Sequence, residues 1–173
     1  MTFLIGFTVF AQEIKWDKKG DTYYSVVNNE IFRHSLPNTV GEKLISTVQL
    51  SPKGQAPISI TDFAFSADGQ KVLIYTNTKA VWRLQTQGDY WVYELPTGKL
   101  TQVGEKLPES SLRFAKFDPD ASKVAFVSEF NLYVQDLTSG QITALTTDGT
   151  RKRINGTFDW AYEEEFACRD GFQ

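Results

Sequence analysis

Three adjacent carboxylates, Glu163, Glu164 and Glu165, lie in the stretch FDWAYEEEFACRDGF, among Trp160, Tyr162 and Phe166. A solvated acidic surface has no use for so much aromatic area, and an apolar core would exclude three carboxylates. DWAYEEEFACRD predicts about two helical turns, with Asp159 as N-cap and acidic residues near the end of the helix that favours them. Neighbouring positions on a helix point about 100° apart, so the three cannot all face one partner, whereas two can. Two carboxylates held close in a partly dry site raise each other's pKa, and a bound cation relieves that repulsion. The cation could be a Lys or Arg side chain, a metal or a free amino terminus. Calcium wants about six to eight oxygen ligands spread along a loop, which this segment lacks; a compact ammonium suits two carboxylates better. In the competing arrangement of the same residues, Arg151 or Arg153 holds a charged helix face.

A second chemically capable group is Arg83, a permanent cation beside Trp82 in NTKAVWRLQTQGD. An arginine near an ammonium site can take a peptide carbonyl as its acceptor. Its place in the chain emerges from the elements that must carry it. From Ile14 onward, aromatic and β-branched residues fall into short runs bounded by Gly, Pro, Asp and Asn, the punctuation of strands and turns. SITDFAFSADGQKVLIYT followed by YWVYELPTGKLTQVG aligns with LRFAKFDPDASKVAFVS followed by NLYVQDLTSGQITALTT. Each unit reads strand, Asp-containing turn, strand, strand, Thr/Ser-Gly turn, strand. IKWDKKGDTYYSVV, NEIFRHSL and EKLISTVQL give a weaker earlier unit.

Four-stranded units recurring in this way are the mark of a β-propeller, whose blades bury their faces by stacking on one another. The expected fold is therefore all-β: an incomplete propeller of about three four-stranded blades and the start of another, plus the short helical segment bearing the glutamates. The repeat also locates an irregularity. Ala121 and Gly140 are 19 residues apart, while the matching Gly69 and Gly98 are 29 apart, so the earlier unit carries ten extra residues. They fall around Trp82 and Arg83, between the second and third strands, where an insertion must protrude and where binding groups usually sit. Alternatively Trp82 packs back on its own blade and the insertion is a decorated hairpin.

The totals narrow the function classes. With 173 residues, 41% hydrophobic and 23% charged, the composition is that of a globular chain with a core. A net charge of -3 and scattered Lys and Arg argue against nucleic-acid binding; the run at 151–153 reads as a solvated loop. Cys168 is the sole cysteine and cannot form an internal disulfide, and His34 is the sole histidine, expected at a half-exposed strand or turn position. No metal site and no cofactor are expected. Residues 3–10 are apolar but too short to span a bilayer as a helix. Residues 1–11 read as a signal segment without a basic start, which implies a periplasmic or extracellular protein whose propeller portion covers 12–173.

NGTFDWAYEEEF strongly resembles the glutamate motif of the dipeptidyl peptidase IV family, serine peptidases of the prolyl oligopeptidase clan, and the following RDGF is similar to bacterial members. WRLQTQGDYWVYEL resembles the arginine-bearing segment of the same family, with Leu84 where relatives often have a polar residue. The likeness covers most of the chain from about residue 15. It implies a propeller over a C-terminal α/β-hydrolase domain, removing dipeptides with Pro or Ala second from peptides with a free N-terminus. It further implies that Glu164 and Glu165 anchor the substrate amine and that Arg83 binds a backbone carbonyl and steadies the glutamates, with Glu163 a structural neighbour. An extended residue spans roughly 3.3–3.6 Å, so an ammonium anchor about 7 Å from a nucleophile measures off two residues.

The sequence shows no G-x-S-x-G elbow and no Ser-Asp-His set, so the nucleophile is expected beyond Gln173 and the chain alone is expected to be inactive. The full-length form is expected to pair with its own hydrolase domain and to allow a homodimer. The competing function class is a non-enzymatic propeller module of an exported protein, in which the glutamates bind a basic partner.

Overall fold

The computed structural model describes residues 14–173, so the segment read as a signal lies outside the described residues. The chain is mostly β-sheet with very little helix, and it divides into two compact units at Val48 and Gln49. Among the described residues no helix is long and apolar enough to cross a membrane.

In the first unit, strands β1 (Lys15–Trp16), β2 (Thr22–Val27), β3 (Glu30–Ser35) and β4 (Glu42–Ile45) pair in chain order, each antiparallel to the next. Asn28 and Asn29 make the two-residue turn between β2 and β3, with φ of 52° and 64°. Both central residues of a type I′ turn need positive φ, and asparagine tolerates it. His34 sits on β3, stacked on Tyr23 at 4.4 Å. Its Nε2 lies 2.9 Å from Ser25 Oγ and its Nδ1 3.1 Å from the Thr39 carbonyl. An Nδ1–H donated to that carbonyl leaves Nε2 to accept from the serine, so the ring is satisfied within the sheet.

The second unit holds β5 (Asp62–Phe65), β6 (Lys71–Val81), β7 (Leu84–Glu94) and β8 (Leu100–Val103), then β9 (Leu112–Phe117), β10 (Lys123–Ser128), β11 (Asn131–Asp136) and β12 (Ile142–Ala144), and finally the helix α1 (Trp160–Glu165). Each set of four is antiparallel and paired in chain order, and a single bridge, Gly88 to Leu112, joins β7 to β9. The turns that entered the repeat arithmetic are equivalent in structure as well. Gly69 and Ala121 both have positive φ and both amides bond back three residues, to Ser66 and Asp118. Gly98 and Gly140, with φ of 70° and 72°, close the second turns by bonding to the carbonyls of Glu94 and Asp136.

The two sets pack through apolar side chains. Leu73, Tyr90, Val92 and Val103 from one meet Leu112, Val124, Phe126 and Leu137 from the other, all buried. A buried polar joint runs beside them: the Gly104 amide donates to Gln135 Oε1 at 2.8 Å, tying the end of β8 to β11. Satisfying that amide and that side chain together avoids the penalty for burying either alone.

Candidate functional site

The ten extra residues lengthen both strands of one hairpin. β10 and β11 end at the pair Ser128 and Asn131, joined by Glu129 and Phe130 with φ of 46° and 66°. The equivalent pair in the preceding set is Thr76 and Asp89, and residues 77–88 stand where those two turn residues would be. The excursion continues as a paired but irregular ribbon, Lys79 opposite Gln87 and Val81 opposite Leu84, with Trp82 and Arg83 at its tip. Trp82 has φ of 57° and is 48% exposed, so it does not pack back on its own sheet.

Polar contacts brace the hairpin at its base. Asp89, a buried carboxylate, accepts from the Ser110 amide and from Asn77 Nδ2, each at 2.7 Å. Tyr75 stacks on Tyr90 at 4.7 Å, and its hydroxyl donates to the carbonyls of Gln85 and Gln87 at 2.8 and 2.9 Å. Burial pushes the Tyr75 hydroxyl up to about 12, which keeps its proton in place as a donor.

The glutamate segment comes to this hairpin from the other side. Asp159 caps α1, its Oδ1 accepting from the Tyr162 amide at 3.2 Å, as the sequence predicts; the helix is six residues long. It ends where Ala167 takes φ of 55° and the Cys168 amide bonds to the Tyr162 carbonyl. Beyond it, RDGF folds back onto β9: Lys116 pairs with Asp170, donates to the Phe172 carbonyl at 2.8 Å and lies over the Phe172 ring. Trp160, Tyr162 and Phe166 are exposed, with Tyr162 in contact with both Phe158 and Phe166.

The three glutamates have three different surroundings. Glu164 meets the hairpin tip: its Oε1 accepts from the Arg83 amide at 3.1 Å, and its Oε2 lies 2.9 Å from Arg83 Nε. The Nε approach is a charge contact rather than an aligned hydrogen bond, since Oε2 is buried and no donor among the described residues points at it. The pair is lopsided, with the glutamate side chain 5% exposed and the arginine 78%. Glu163 turns to the hairpin base, where its Oε2 accepts from Arg113 Nη2 at 2.6 Å and its Oε1 lies 3.4 Å from Thr86 Oγ1. Glu165 is exposed and has no ion-pair partner among the described residues.

The structure thus brings Arg83 and Glu164 together from positions 81 residues apart and leaves Glu165 outside that contact. The basic loop does not hold the helix: Arg153 pairs with Asp148 at 2.6 Å, which holds that carboxyl below its usual range, while Arg151 is exposed. Arg113 is the residue that sequence reasoning missed. β9 is irregular at Phe114, with φ of 55°, between the pairs Lys116 with Ala125 and Arg113 with Val127, so alternation along LRFAKF gives no signal for Arg113. Among the described residues no group of His, Cys, Asp and Glu side chains is arranged to hold a metal ion.

A buried carboxylate with one undirected oxygen, next to an exposed cation, can accept a second cation carrying its own donors. "Probable dipeptidyl-aminopeptidase B" of Chaetomium globosum is 32% identical over 112 residues, 65% of this chain and 12% of its own length. The protein of the same description from Trichophyton verrucosum is 36% identical over 100 residues, 58% of this chain and 11% of its own length. The chain therefore spans about one-eighth of these curated relatives. The crystal structure of Porphyromonas gingivalis dipeptidyl peptidase 4 shares the fold with a TM-score of 0.79 over 92% of this chain and 23% of that one, at 22% identity. Residues 66–173, which hold the hairpin, Arg113 and the glutamates, match the family described as the dipeptidyl peptidase IV (DPP IV) N-terminal region, and the chain belongs to that family.

Proposed function

We propose that the chain is the substrate-recognition portion of an exported serine exopeptidase that releases N-terminal dipeptides with Pro or Ala second. Each four-stranded set is then one blade of a propeller, completed by further blades and a C-terminal hydrolase domain that supplies the nucleophile. Glu164 receives the peptide's free ammonium on its undirected Oε2, and the exposed Glu165, one residue on, closes the other side of it. Arg83, displaced little from its present position, turns its remaining N–H groups to the peptide carbonyl.

One observation carries this reading: a carboxylate whose side chain is 5% exposed, with an oxygen at which no donor among the described residues points. An ammonium brings three donors to such a group, and charge-assisted bonds are the strong ones. A blocked amine would bring no charge and too few donors to Glu164 Oε2, which is how a hydrogen-bonding site rejects an analogue by large factors. The test compares Gly-Pro-p-nitroanilide with its N-acetyl derivative on the full-length protein. The free-amine substrate should be cleaved and the acetylated one should not; equal rates on both would sink the reading. The purified 173-residue chain should hydrolyse neither.

A further inference from the structure

Arg113, Glu163 and Thr86 form a polar cluster where three elements meet. Arg113 comes from β9, Thr86 from β7 and Glu163 from α1. Arg113 Nη2 reaches both partners, Glu163 Oε2 at 2.6 Å and Thr86 Oγ1 at 3.1 Å. The charges are deeply buried, the arginine side chain 11% exposed and the glutamate 0%. Arg113 Nε finds no acceptor among the described residues.

Connectivity gives the cluster its interest. Thr86 is three residues from Arg83 along β7, and Glu163 immediately precedes Glu164 on α1. The contacts Arg83 to Glu164 and Thr86 to Glu163 thus close a ring between hairpin and helix, with Arg113 clamping one side of it. An apolar contact would hold α1 in place as firmly while leaving its rotation loose. Hydrogen bonds fix the plane of a carboxylate and, through it, the rotation of a six-residue helix.

We propose that Arg113, acting with Glu163 and Thr86, is a positioning residue that sets where the Glu164 carboxylate stands relative to the hairpin tip, and hence how well a peptide ammonium is bound. This rests on the reading of Glu164 as the amine anchor. Replacing a buried ion pair by apolar residues of similar volume is often neutral or even stabilising, so what the pair supplies here is orientation rather than stability. Misplacing a binding group by about 1 Å can cost on the order of 100-fold in efficiency.

The experiment uses the full-length enzyme, Gly-Pro-p-nitroanilide as substrate, and the double variant Arg113→Met/Glu163→Met, which removes both charges at once. Its melting temperature should stay near that of the parent and kcat should stay within about 2-fold, while KM rises about 10-fold or more. A merely structural pair would alter the amount of folded enzyme and leave KM alone, so parental KM in the folded double variant overturns the proposal. If the double variant does not fold, Thr86→Val decides: raised KM at parental kcat supports positioning, and unchanged KM refutes it. Glu164→Gln, measured alongside, keeps the two ideas apart. Parental KM in that variant sinks the amine-anchor reading itself, whereas raised KM there with parental KM in the double variant sinks only the role of Arg113.

Discussion

Replacing Glu164 by glutamine changes one oxygen to an amide nitrogen at nearly constant volume, and the structure permits a numerical expectation. Oε1 can still accept from the Arg83 amide, so the local fold is kept. The ion pair that is lost has its arginine 78% exposed, and solvent screening limits its worth to about 1 kcal/mol or less. Binding is affected far more. A hydrogen bond to a charged group contributes about 1.5–3 kcal/mol, and about 1.4 kcal/mol is tenfold, so kcat/KM on a free-amine substrate should fall about 10- to 150-fold. Initial rates on Gly-Pro-p-nitroanilide with full-length enzyme give the number, and thermal unfolding of the same samples checks that stability has barely moved. Glu165→Gln should produce a loss of the same order, and Glu163→Gln a smaller one, since Glu163 acts through its neighbour. Activity within 2-fold of the parent for Glu164→Gln, or equal losses at all three glutamates, would refute the assignment.

Three further outcomes follow from the frame. Gly88→Ala places a Cβ 2.6 Å from both the Thr76 carbonyl oxygen and Tyr75 Cε2, so it should destabilise the chain by about 1–3 kcal/mol; an unchanged urea midpoint would show that the hairpin base yields freely. Phe126 is fully buried and stacks on Tyr133 at 5.7 Å, so Phe126→Ala should cost about 3–5 kcal/mol, read as a loss of melting temperature; a loss under about 1 kcal/mol would contradict its place in the core. Asp136 is held below its ordinary value of 3.8 by the Ser139 amide first and then by the Ser139 hydroxyl. A depressed carboxylate stabilises the fold above its unfolded pKa, and that contribution disappears as pH falls through the folded value. Asp136→Asn should therefore flatten the loss of melting temperature below about pH 4. An acid limb identical to the parent's would count against that turn contact.

The sequence carried the frame because the frame is written locally. Gly69, Ala121, Gly98 and Gly140 mark turns through the backbone conformation of single residues, and strand alternation needs only near neighbours. That was enough to count ten extra residues and place Arg83 on them. The Glu163 to Arg113 pair was not legible, because its partners are 50 residues apart and meet only through the packing of β9 against the hairpin and helix. Helix geometry said that two of three glutamates could share a partner but left the rotation of the helix open. The structure turns Glu163 inward and Glu164 to Arg83, and it leaves Glu165 in solvent. The side chain of Trp82 was equally open from spacing alone, since aromatic character suits both a packed and an exposed position.

Twelve residues, 77–88, occupy the place that two residues fill in the next hairpin, yet the flanking pairs Thr76 with Asp89 and Ser128 with Asn131 keep the same register. By loop-closure entropy the longer connection costs only on the order of 1–2 kcal/mol. The corner of a four-stranded set is thus a port: the frame accommodates an added segment there, and the residues at its tip, Trp82 and Arg83, face outward. Swapping the exposed tip around Trp82 and Arg83 for another sequence of the same length, with Asn77, Thr86 and Gly88 kept, would redirect what the surface recognises while the sheet beneath it stays as it is.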